Sequence, residues 1–107
     1  MIRTVILTSI LALGACTEVQ NAADRTGRKA ATSAVTEVIA INFTQVPKPL
    51  IEAFTGCVMD NAQAVEVREL AKDSIVGIDE ETVAIVRSVL SRPETQTCLR
   101  SRAPLAL

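Results

Sequence analysis

Hydrophobic and polar positions divide the chain into one short apolar run followed by five stretches with helical spacing. The apolar run comes first. After Arg3, residues 4–15 read TVILTSILALGA, and no charge occurs from Thr4 to Thr17. This 12-residue run is shorter than the roughly 20 apolar residues that a bilayer-spanning helix needs and suits the h-region of a signal peptide.

Residues 16–43 read as one long, Ala-rich helix with no proline in its interior. Asp24, Arg25, Arg28 and Lys29 lie on its outer surface, with Asp24 and Arg28 spaced as an i,i+4 pair. Ala23, Gly27 and Ala31 form a line of small residues. The expectation is a solvated stalk in the first half. Docking begins at Val35 and continues through Val38, Ile39, Ile41 and Phe43. TQVPKP at 44–49 predicts a break, because Val46 and Lys48 each precede a proline and are pushed out of helical geometry.

A second helix is predicted over 49–62, with Leu50, Ile51, Phe54, Cys57, Val58 and Asn61 on one face. Gly56 is unfavourable there and suggests close approach by a neighbouring helix. A third helix covers 63–76, with Val67, Leu70, Ala71, Ser74 and Ile75 inward and Gly77 as a left-handed cap. Asp79 is the expected N-cap of the fourth, with Glu80 and Glu81 in its first turn. Thr82, Val83, Val86, Val89 and Leu90 form its inner face. The last helix, 93–102, opens on Pro93, turns Cys98 and Leu99 inward, and places Arg100 and Arg102 near its C-terminus. No alternating strand pattern occurs. The fold class is therefore all-α: a small bundle of four to five segments. Its organisation is a leader over 1–15, an Ala-rich helix over 16–43 and a small helical domain over 44–107.

Composition narrows the function. At 107 residues the chain is one domain at most, and its 11 Lys and Arg nearly balance 12 Asp and Glu. It contains no His, Trp or Tyr and only two Phe. Nucleic acid is not an expected partner, since both a basic field and stacking platforms are missing. The commonest general acid–base residue, His, is absent. No glycine-rich phosphate loop, calcium loop or CxxC metal signature is present. The carboxylates are the remaining chemical candidates. Asp79, Glu80 and Glu81 are explained by a helix start. Glu66, Glu69 and Asp73 read as a solvated face beside Arg68 and Lys72. Asp60 and Asn61 suggest a polar cap between two helices. No catalytic residue, metal, cofactor or small-molecule substrate is assigned.

The boundary LGAC at 13–16 resembles the lipobox of bacterial lipoproteins. That resemblance implies diacylglyceryl attachment to the sulfur of Cys16, cleavage before it, and acylation of the new amino group. Small residues at Gly14 and Ala15 fit a peptidase that must approach the backbone closely. The other arrangements are an ordinary signal peptide cut after Gly14 and a retained N-terminal membrane anchor. Two or more acyl chains, at about 0.8 kcal/mol per buried CH₂, give stable anchoring. Thr17 after the cysteine, rather than Asp, resembles lipoproteins sorted to the outer membrane.

With Cys16 set aside as the lipid carrier, Cys57 and Cys98 form an even pair. In an exported protein they are predicted to join in a disulfide, which would stabilise the fold by roughly 4 kcal/mol. Two buried free thiols are the competing arrangement.

LGACT, CVMDNA and SRPETQTCL together resemble a group of small alphaproteobacterial lipoproteins. The resemblance covers residues 16–102 and implies an envelope lipoprotein with a helical, Cys-paired domain. Two readings follow. In the first, a lipid on Cys16 holds a non-enzymatic helical domain at the envelope, facing the periplasm, where it binds a protein partner or supports structure. In the second, a small exported enzyme or ligand-binding protein uses carboxylates in a cavity. An exposed apolar patch would favour the first and converging acids of perturbed pKa the second.

Overall fold

α1 runs to residue 42, and its interior face repeats at helical spacing: Ala31, Ala34, Val35, Val38 and Ile39 are all buried. The computed structural model describes residues 24–103, within which α1 occupies 24–42. Thr32 and Thr36 hydroxyls donate back to the carbonyls of Arg28 and Thr32, at 2.7 and 2.9 Å. These bonds settle hydroxyls that would otherwise compete with the helical backbone. Docking begins at Ala31, one helical turn earlier than expected, because alanines let the neighbouring helices approach closely. Ile41, expected to dock, is 64% exposed. Asp24 and Arg28 form no ion pair among the described residues.

The predicted break is present, with one correction. Pro47 is extended, but Lys48 opens a single 3-10 turn, Lys48–Leu50, closed by Leu50 N–H donating to the Pro47 carbonyl at 2.9 Å. The missing N–H of Pro49 falls within this first turn, where a donor would lack a helical partner.

α2 (Ile51–Asn61) buries Phe54, Thr55, Cys57, Val58 and Met59. This face is broader than a single stripe, because α2 packs against α4 and α5 and its Thr55 hydroxyl meets Thr36 of α1 at 3.3 Å. α3 (Ala64–Val76) buries Leu70 and Asp73. Ile75, assigned to the inner face by spacing, is 84% exposed, and the polar Asp73 takes the inward position. α4 (Glu80–Leu90) buries Thr82, Val86 and Val89, on the face the spacing predicts. α5 (Pro93–Arg102) buries Thr95 and Leu99 and leaves Cys98 partly buried. No strand occurs among the described residues.

One hydrophobic cluster joins residues from all five helices, with Leu70, Ile39 and Leu99 among its largest fully buried side chains. Each fully buried Val, Leu or Ile contributes about 1.5–3 kcal/mol. Valines and alanines dominate, so the core is thin, and the disulfide Cys57–Cys98 supplements it by linking α2 to α5. Its Cα atoms stand 5.7 Å apart, inside the ordinary range for a disulfide.

Gly77 ends α3 differently from the expected left-handed cap. Its φ is 131° and its ψ 146°, an extended backbone with positive φ. Its N–H donates to the Asp73 carbonyl at 2.8 Å. Only glycine adopts this region readily. It turns the chain at once into Ile78 and the start of α4.

Candidate functional site

The polar groups singled out by the sequence fall into three places. The first is the joint between α3 and α4. Asp79 caps α4: its Oδ1 accepts from the backbone N–H of Thr82 at 3.0 Å, and Asp79 N–H donates to Thr82 Oγ1 at 3.1 Å. Thr82 Oγ1 also lies 2.8 Å from Asp73 Oδ2 and 3.0 Å from Asp79 Oδ1, so two carboxylates share one hydroxyl. The Thr82 N–H, and next its hydroxyl, hold the Asp79 carboxyl below its ordinary range. The triple acid is thus a helix start, as expected. Asp73 is not on a solvated face: it is 5% exposed.

The second place is the corner where the α2–α3 link meets the α4–α5 link. Arg92 grips Glu66 with two parallel bonds, Nη1 to Oε1 at 2.8 Å and Nη2 to Oε2 at 2.7 Å. Its Nη1 also donates to the Asn61 carbonyl at 3.1 Å. Glu66 Oε1 accepts from the Gln63 N–H at 2.8 Å. The Arg92 hydrogen bond, opposed in part by burial, lowers the Glu66 pKa. Glu66 therefore leaves the solvated face to which spacing assigned it, and its partner lies 26 residues away. The Gln63-x-x-Glu66 spacing was the available signal for the local half of this arrangement. Nothing local pointed to Arg92.

Asn61 does not bridge helices through its side chain. Its Nδ2 donates to the Cys57 carbonyl of its own helix at 2.8 Å. Asp60 instead pairs with Arg102 of α5 at 2.9 Å, with both side chains about half exposed. The close approach anticipated at Gly56 is by a side chain, since a Cβ there would stand 3.0 Å from Arg102 Nη1.

The third place is an open groove of about 740 Å³ between the end of α1 and the start of α4. Ile41, Ile78 and Val83 supply its apolar lining, with Glu37, Asp79, Glu80 and Arg87 around them. The Arg87 guanidinium lies 5.6 Å from the Phe43 ring centroid, a cation–π contact beside the groove. Ile75 and Val76, 84% and 75% exposed, end α3 immediately before this groove's Ile78. Four large hydrophobic side chains are strongly exposed among the described residues, and three of them, Ile41, Ile75 and Val76, belong to these adjoining segments; Val65 is the fourth.

Cys16, the predicted lipid carrier, lies outside the described residues. Cys57 and Cys98 are joined. Among the described residues no group of three or more His, Cys, Asp or Glu is placed to hold a metal ion, and no helix is long and apolar enough to cross a membrane. The arrangement defines a disulfide-linked, all-α bundle in which the buried Asp73 and the part-buried Glu66 join helices. Comparison of the chain with protein-family models, curated proteins and solved structures finds no match.

Proposed function

We propose that the protein is an envelope lipoprotein with a non-enzymatic, protein-binding or structural role, anchored through acyl chains on Cys16 and facing the periplasm from the outer membrane. The observation that carries the binding role is the exposed Ile41 in a groove of mixed polar and apolar lining, with the exposed Ile75 and Val76 just ahead of the groove's Ile78 in the chain. Exposed apolar surface is retained where it meets something. The Cys57–Cys98 disulfide supports an oxidising compartment. The LGAC boundary after a short apolar run supports the lipid.

The polar groups support the same reading. Asp73 and Glu66 are engaged in joining helices and Asp79 in capping α4. The Glu66 and Asp79 carboxyls are both lowered by the hydrogen bonds that hold them, from Arg92 and from Thr82. A carboxyl serving as general acid would need the opposite shift.

Intact-mass analysis of the full-length gene product made in a bacterial host, combined with thiol labelling, tests the anchor. The expected species lacks residues 1–15, carries the added mass of acyl chains and has no free thiol. A species that still begins at Met1, or that lacks acyl mass, would overturn the anchor.

A further inference from the structure

We infer that the groove between α1 and α4 docks an apolar segment of another envelope protein that carries flanking Lys or Arg residues. This deepens the protein-binding reading and rests on it. The apolar component comes from Ile41, Ile78 and Val83 in the groove and from Ile75 and Val76, which precede Ile78 in the chain and are exposed in water at a cost with no return inside this fold. Ile78, half-buried, continues the surface into the groove.

The charges around the groove choose among occupants. Glu37, Asp79 and Glu80 contribute three carboxylates and Arg87 one guanidinium, a balance of −2. A second copy of the chain would set this acidic rim against itself, which is repulsive. An anionic lipid surface would be repelled in the same way. A basic-flanked apolar segment satisfies both features: its side chains cover the isoleucines and its cations meet the rim.

The direction of α1 fits this use. Helical rise places Ile41 about 26 Å along the axis from residue 24. The patch therefore lies at the end of α1 remote from Cys16 in sequence.

The test is site-specific photo-crosslinking of the full-length protein in its native cells. Ile41, Ile75 or, as a control elsewhere on α1, Lys29 is replaced one at a time by a photoreactive phenylalanine derivative. All three positions are exposed, and helicity is checked by circular dichroism. The inference expects discrete protein adducts at positions 41 and 75 and none at 29. The crosslinked partner peptide, read by mass spectrometry, should be apolar with net positive charge. Combining Glu37→Lys with Glu80→Lys should reduce adduct yield at least about tenfold, since like charges across an interface cost several kcal/mol.

Adducts with a second copy, with lipid alone, or with an acidic segment would overturn the inference. Adducts at 29 rather than at 41 and 75 would overturn this docking face and leave a binding role intact. No protein adduct at any of the three positions would overturn both. The acyl mass measured on the same material reports the anchor separately.

Discussion

Thr82 Oγ1 lies 2.8 Å from Asp73 Oδ2, and this bond joins α3 to α4 with both residues buried. The same hydroxyl accepts from the Asp79 N–H that begins α4. One side chain therefore completes a helix cap and satisfies a carboxylate from the preceding helix.

Thr82→Val keeps the shape and removes the hydroxyl. It leaves Asp73 with a buried, unsatisfied carboxylate and halves the cap. The expected loss is about 2–3 kcal/mol. Thr82→Ser should retain most of the stability. Urea unfolding followed by circular dichroism separates the two, and a result in which both variants match the parent would remove this role. Adding Asp73→Ala to Thr82→Val should cost less than the sum of the single changes, because the two groups are coupled.

Replacing both Cys57 and Cys98 by alanine opens a loop whose ends are 41 residues apart. Chain entropy predicts a loss of about 4 kcal/mol. In a thin core this is a large share of the total, so a strong fall in melting temperature is expected, matched by the parent under strong reductant. Cys57 is fully buried and Cys98 half-buried.

The two glycines at Gly56 and Gly77 should respond to alanine with opposite signs. Gly77 has φ at 131°, where a Cβ is strained whatever the space around it, and Gly77→Ala should cost about 1–3 kcal/mol. Gly56 lies inside α2, and the atom its Cβ would meet, Arg102 Nη1, ends a flexible and half-exposed side chain. Gly56→Ala should therefore stabilise by about 0.5–1 kcal/mol, even if Arg102 moves off Asp60. Denaturant midpoints of the two variants give the signs directly.

Acid should weaken the corner held by Glu66 and Arg92. The Glu66 pKa lies below its ordinary 4.5, chiefly through the Arg92 hydrogen bond. A carboxyl lowered on folding stabilises fully above its unfolded pKa, and that contribution is lost as pH falls through the folded value. The parent should thus lose stability below about pH 4.5. Glu66→Gln should cost about 1–3 kcal/mol at neutral pH, and the gap to the parent should close in acid. A gap that stays constant down to pH ~2 would mean the ion pair is energetically silent.

Thr95 presents a buried hydroxyl with no hydrogen-bond partner among the described residues. Thr95→Val preserves its shape and removes that polar group. The variant should be as stable as the parent or more stable by about 1 kcal/mol, again read from urea midpoints. A clear loss would reveal that the hydroxyl has a partner in solution.

Much of the architecture was legible in the chain. The spacing of Val35, Val38 and Ile39, of Phe54, Cys57 and Val58, and of Thr82, Val86 and Val89 set three inner faces, because a 3.6-residue repeat forces such positions to one side. Asp79 announced α4 and Pro93 announced α5, since both act on the first turn of the helix they begin. The Cys57–Cys98 pairing followed from counting, once Cys16 was assigned elsewhere.

Other features depended on partners distant in sequence. Spacing put Ile75 on the inner face of α3 and Asp73 on the solvated one; the fold reverses both, covering the acid where the hydroxyl of Thr82 meets it and leaving Ile75 exposed. Glu66 read as a solvent group until folding brought Arg92 beside it. Ile41 follows the apolar rhythm of α1 yet runs past the edge of the core. Local periodicity, caps and proline rules act within a turn or two, so residue order alone determines the helices and their faces. Long-range charge pairing, the buried acid and the exposed isoleucines arise only when helices meet, because desolvation and hydrogen-bond partners are properties of the assembled core.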